Sequence, residues 1–132
     1  MKATILLIDG YSGIRDSLGH TLRLEGYDVT VASNGQEALN SLRDTGFDLV
    51  LLDVDMPVSD GWDTLGQIIT VSLSLPLIVI KGGSDQQRLA TQEGVTAVLE
   101  KPLDLPLLLG VMGRALAETS EGRDKGTRPE SR

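Results

Sequence analysis
The chain has 132 residues, is 40% hydrophobic but only 3% aromatic, lacks cysteine and carries a net charge of −7. That is the size of one domain with an aliphatic core, and it excludes disulfides and thiolate metal sites. An acidic chain without a basic patch argues against nucleic acid or an anionic membrane as partner.

Thr4–Ile8 is predicted as the first strand, and Asp9 and Gly10 follow it. Ser12 is expected to cap a helix from Gly13 to Glu25, with Ile14, Leu18 and Leu22 on one face and Gly26 as its stop. Val29 and Val31 alternate with polar neighbours in a second strand. Ser33-Asn34-Gly35-Gln36 fits a capping box for a second helix, which turns Ala38, Leu39 and Leu42 inward and ends at Gly46. Leu49–Leu52 is an unbroken aliphatic run, the pattern of a strand buried on both faces. Trp62, Leu65, Ile68 and Ile69 mark a third helix, and Pro76 leads into a fourth buried strand, Leu77–Ile80. Gly82-Gly83 open the polar segment Ser84–Glu93, predicted as a fourth helix. Ala97–Leu99 is a short fifth strand, Lys101-Pro102 follows, and Asp104 caps a last helix running to about Glu118.

Strand and helix alternate five times, which implies an α/β fold: a doubly wound, five-stranded parallel sheet with helices on both faces. Residues 1–118 are expected to form that single domain. Residues 119–132 hold no apolar side chain larger than proline, with four basic and three acidic groups, and are predicted to be a disordered charged tail. No apolar run approaches the roughly 18 residues that span a bilayer. The apolar start Ile5–Ile8 is too short for a signal peptide, so the expectation is a soluble cytoplasmic protein.

The most informative stretch is Asp48–Pro57. Its aliphatic run ends in Asp53, then Asp55, then Pro57. In an open parallel sheet, ligands bind at the carboxyl ends of central strands, and Asp53 is an acid in that place.

The acid after strand one, Leu-Leu-Asp-x-x-Met-Pro-x-x-Asp-Gly over residues 51–61, and Lys101-Pro102 after strand five together resemble the receiver domain of two-component response regulators. The resemblance runs from about Ile5 to Glu118 and implies the CheY-like, flavodoxin-like (βα)5 fold. It implies that Asp53 is the phosphoacceptor, charged by a sensor histidine kinase, with Lys101 pairing the phosphoryl oxygens. Asp9, Asp53 and the backbone carbonyl of Asp55 would hold Mg²⁺, and the Lys101–Pro102 peptide would be cis. It also implies a protein that signals by binding others and is not an enzyme, with the face made by helix four, strand five and helix five as the place where receivers dimerise or meet partners.

Three positions depart from the family pattern. Gly10 stands where a second acid normally binds the metal directly. Lys81 replaces the hydroxyl residue at the end of strand four, and Val98 replaces the switch aromatic of strand five. With Asp9 and Asp53 facing Lys81 and Lys101, the site would be close to neutral, so Mg²⁺ is expected to bind weakly or not at all. Lys81 is expected to pair with Asp53 or Asp9 instead. Its single charge at about 2.8 Å is a poorer organiser than a divalent ion at about 2.1 Å, by roughly 2.7-fold in charge over distance. Without hydroxyl and ring the usual switch is missing, so the expected mode of action is protein–protein contact.

Other motifs weigh less. Asp53-Val54-Asp55 also resembles the Asp-x-Asp of haloacid-dehalogenase-type phosphatases, where the first Asp is the nucleophile and the second the general acid. That motif normally opens a much longer chain. Gly10-Tyr11-Ser12-Gly13 lacks the spacing of a phosphate loop, and His20 reads as a surface residue. The last helix carries a core face of Leu108, Val111, Met112 and Leu116, and a surplus of Leu105, Leu107 and Leu109. With Val98, that surplus suggests an exposed patch for a partner or a second copy.

Overall fold
The computed structural model describes residues 2–55, 61–71, 74–82 and 94–126. Within them lie β1 (Thr4–Ile8), α1 (Ser12–Leu24), β2 (Asp28–Ala32), α2 (Gly35–Asp44), β3 (Leu49–Asp53), α3 (Gly61–Val71), β4 (Leu77–Lys81), β5 (Ala97–Glu100) and a C-terminal helix (Leu105–Gly126). The expected helix over Ser84–Glu93, and Met56, Pro57 and Asp60 of the signature, lie outside the described residues.

The strands form one parallel sheet in the order β2-β1-β3-β4-β5. Every residue of β3 and β4 is buried, whereas the edge strands β2 and β5 each bury only part of their length. This is why the central strands read as continuous aliphatic runs and β2 as an alternation. Side chains alternate between faces along each strand. Leu6, Ile8, Val50, Leu52, Leu77 and Val79 pack with Ala38 of α2 and Leu65 and Ile68 of α3. Ile5, Leu7, Leu49, Leu51, Ile78 and Leu99 pack with Leu18 and Leu22 of α1 and Leu108, Met112 and Ala115 of the C-terminal helix. Each such aliphatic side chain contributes about 1.5–3 kcal/mol on burial. The doubly wound α/β expectation is therefore met.

Several local readings are corrected. Ser12 is the first residue of α1 and not its cap; Tyr11 occupies that position without a side-chain bond. The Tyr11 N–H itself donates to Asp9 Oδ1 at 2.9 Å, which ties the start of α1 to the end of β1. Ile14 is 48% exposed rather than core, because the first turn of α1 overhangs the strand ends, while Leu18 and Leu22 lie over the sheet. The capping box is one residue later than expected. Asn34 Oδ1 accepts from Glu37 N–H, and the Glu37 carboxylate takes the Ser33 N–H and hydroxyl in return. α2 ends at Asp44, two residues before Gly46. Gly26 does stop α1, with φ of +99°, a conformation only glycine adopts readily.

The C-terminal helix runs to Gly126, past the end near Glu118 that the sequence suggested. No proline interrupts this stretch before Pro129. A helix already nucleated on a packed face propagates by one backbone hydrogen bond per added residue.

Candidate functional site
The carboxyl ends of β1, β3 and β5 bring Asp9, Asp53 and Lys101 together. Alternation points all three to the α1 side of the sheet. They line a cavity of about 190 Å³ with Ile14, Leu18, Ile80, Pro102 and Leu103. Asp9 and Asp53 are both 2% exposed. Lys101 Nζ lies 2.7 Å from Asp53 Oδ2, and the other oxygen, Oδ1, accepts the Asp55 N–H at 2.8 Å. Both Asp53 oxygens are thus held in place by charge-assisted bonds. The Lys101–Pro102 peptide is cis, as the resemblance implies.

Asp55 turns its side chain to the neighbouring strand. Its Oδ2 accepts the Gly82 N–H at 2.7 Å and lies 3.5 Å from Lys101 Nζ. It braces the β3 and β4 ends and holds the far side of the lysine.

Burial pushes the Asp9 carboxyl above the ordinary aspartate range, and the charge of Asp53 adds to the shift. The Tyr11 N–H, Lys101 and Arg15 work against it. Burial works to lower the Lys101 ammonium, but the hydrogen bond and charge of Asp53, aided by Asp55, raise it above the ordinary lysine value. Two buried acids sharing one lysine is an arrangement that still attracts a cation. Gly10 supplies no carboxylate, and among the described residues no cluster of three acid, histidine or cysteine side chains could hold a metal. Two carboxylates, a carbonyl and water are oxygen donors of the kind a divalent ion takes.

Lys81 does not pair with Asp53 or Asp9. It is 1% exposed, and among the described residues its ion pair is with Glu100 Oε2, at 3.4 Å. The reason is strand parity: Asp53 is the register partner of Ile80, and Lys81 of Glu100. Lys81 therefore points to the α2–α3 face and Asp53 to the α1 face. Sequence reasoning missed Glu100, and it missed Arg15, whose Nη1 donates to the Asp9 carbonyl at 2.8 Å. Alternation puts Glu100 on the face opposite the buried Leu99, and with the β4–β5 register known that would have placed it beside Lys81.

Of the surplus apolar residues, Val98 is 37% and Leu107 49% exposed. Leu105 and Leu109 instead pack against the α1-side core. The surplus is therefore smaller than the spacing suggested, because a helix on a twisted sheet buries a wider stripe than one row of i, i+3, i+4 positions. Among the described residues, no helix is long and apolar enough to cross a membrane.

Fold and site together define a parallel α/β domain with an acid pair and a lysine at its strand ends. A family model described as response regulator receiver domain matches residues 5–112, and the chain belongs to that family. It is 36% identical over 118 residues to the DNA-binding transcriptional regulator NtrC of Rhizobium meliloti, covering 88% of this chain and 24% of that protein. It is 36% identical over 128 residues to the response regulator MprA of a Mycobacterium species, covering 94% of this chain and 56% of the relative. The chain thus spans about a quarter to a half of these relatives. Among solved structures, a CheY-like receiver domain from Methanospirillum hungatei superposes with a TM-score of 0.84 at 25% identity, covering 92% of this chain and 99% of that one. The response regulator TrrA of Thermotoga maritima, solved with Mg²⁺ and a beryllium fluoride, gives 0.77 at 28% identity, covering 87% and 99%. The family match places Asp53-Val54-Asp55 in a receiver and gives no support to the phosphatase resemblance.

Proposed function
We propose that this receiver accepts a phosphoryl group on Asp53 from the phosphohistidine of a sensor kinase, in the cytoplasm, and passes on its state by protein contact. The observation that carries this is the buried Asp53 carboxylate with one oxygen on Lys101 at 2.7 Å and the other on the Asp55 N–H. In the transfer, a carboxylate oxygen of Asp53 attacks phosphorus. The bond from phosphorus to the donor imidazole nitrogen breaks, and that nitrogen keeps the electron pair. Catalysis of such a transfer is mostly positioning and charge stabilisation. Lys101 supplies charge to the phosphoryl oxygens, and the Asp55 N–H orients the carboxylate.

Asp9, Asp53 and the Asp55 carbonyl are the groups that would hold Mg²⁺. When bound, a divalent ion neutralises phosphoryl charge. With Gly10 in place of a third acid, its affinity is low, and the switch pair is missing at Lys81 and Val98. Contact with partners, or with a second copy, therefore depends less on phosphorylation than in a complete receiver, and Val98 and Leu107 are the exposed apolar groups for it.

The test is incubation with acetyl phosphate, with and without Mg²⁺, followed by intact-mass measurement. One added phosphoryl group, stimulated weakly by Mg²⁺ and lost in Asp53→Asn, is expected. A wild-type mass that never changes would remove the phosphoacceptor role.

A further inference from the structure
β5 is a four-residue edge strand, and its last residue precedes the lysine on which the site depends. Lys81 holds this strand end twice. Its carbonyl accepts the Lys101 N–H at 2.8 Å, one bond beyond the ladder, and its ammonium lies 3.4 Å from Glu100 Oε2. Glu100 and Lys101 are consecutive and point to opposite faces of the sheet. One is tied to Lys81 on the α2–α3 side, the other to Asp53 on the α1 side. A lysine buried to 1% exposure has to keep a counter-charge, whereas Glu100, half-exposed, has solvent as an alternative. The pair thus serves the buried ammonium and at the same time ties the β5 end to β4.

We infer that the Lys81–Glu100 pair positions Lys101 against Asp53. Lys81 and Glu100 are positioning residues that act through the backbone of the β5 end and touch neither the acceptor nor the phosphoryl group. The consequence for phosphoryl transfer rests on the reading of Asp53 as acceptor; the consequence for the Asp53–Lys101 contact does not. A displacement on the scale of an ångström at a charge-stabilising group costs up to about a hundredfold in rate, and partial loosening of one strand end about tenfold.

The experiment uses the full chain as wild type, Glu100→Gln, Lys81→Met, the double variant, and each single change on a Lys101→Met background. Glu100→Gln is isosteric, lies at a half-exposed position and keeps an amide oxygen to face Lys81, so the test does not depend on Lys81→Met folding. Two readouts are taken on folded protein: the carboxyl ¹³C resonance of Asp53, and the rate of mass gain with acetyl phosphate. The expected result is that Glu100→Gln and Lys81→Met each move the Asp53 resonance in the direction that Lys101→Met moves it. Each slows phosphoryl uptake about tenfold. The double variant is no slower than either single one, and neither change slows Lys101→Met further. A purely structural pair would lower the melting temperature and leave the Asp53 resonance in place. That outcome, or uptake at the wild-type rate in Glu100→Gln, overturns the inference. If wild type takes up no phosphoryl group, the acceptor reading fails and the inference is decided by the Asp53 resonance alone.

Discussion

Replacing Lys101 by methionine keeps most of the aliphatic stem and removes the charge that faces a buried carboxylate. Nζ and Oδ2 are 2.7 Å apart, with Asp53 2% and Lys101 30% exposed. At that distance the Coulomb attraction is about 1.5 kcal/mol at the dielectric of water and about 6 at an effective dielectric of 20. Breaking a fully buried pair by removing one partner costs roughly 3–5 kcal/mol. Lys101 is partly solvated and shares its charge with Asp55, so screening reduces this to about 2–3 kcal/mol. The assay is urea unfolding followed by circular dichroism; at a slope of about 1–3 kcal/mol per molar, the midpoint falls by about 0.7–3 M. Most of the loss is the cost of an uncompensated buried charge, so it depends on Asp53 being charged. The double variant Lys101→Met/Asp53→Asn should therefore be close to Asp53→Asn alone, with a coupling of about 2 kcal/mol. Additive losses, with no rescue by Asp53→Asn, would refute this account of the site.

The Asp9 carboxyl is raised in the folded protein, so its own contribution to stability is fully present below the ordinary aspartate value and is lost as pH rises through the raised one. Asp9→Asn should then be more stable than wild type at neutral pH, with the difference shrinking in acid, as read by melting temperature across that range. Gly10→Asp restores a third acid at a position whose φ is not positive, so the backbone tolerates it; Mg²⁺ affinity by calorimetry should rise by about tenfold or more. An unchanged affinity would mean that residue 10 does not face the ion. Leu107→Glu changes a side chain that is 49% exposed. It should abolish self-association or partner capture in sedimentation while leaving the melting temperature within about 0.5 kcal/mol equivalent, and Asp53→Ala should not abolish it. Gly35→Ala places a Cβ 2.6 Å from Thr64 Oγ1, on a stiff β-branched side chain. It should destabilise by about 1–3 kcal/mol in wild type and become neutral or favourable on a Thr64→Ala background.

The sequence by itself determined the architecture, because the signals for it are local. Unbroken aliphatic runs at Leu49–Leu52 and Leu77–Ile80 can be satisfied only by strands covered on both faces. Five alternations with helix then leave one sheet type. It also placed Asp9, Asp53 and Lys101 at one edge, since residues following parallel strands share the carboxyl side wherever each strand sits in the order. Tertiary structure decided which face each of those residues turns to. Lys81 follows an apolar run and so falls at the same strand-end edge as Asp9 and Asp53, yet the register that pairs Asp53 with Ile80 sends it to the opposite side, where Glu100 meets it. A shift of one residue inverts every side chain of a strand, and no pattern within β4 or β5 reports how the two are aligned. The exposure of Ile14 was undetermined for the same kind of reason. Its spacing matches Leu18 and Leu22, but whether a sheet lies beneath the first turn of α1 depends on where β1 and β3 end relative to that helix, a quantity that exists only once the strands are paired.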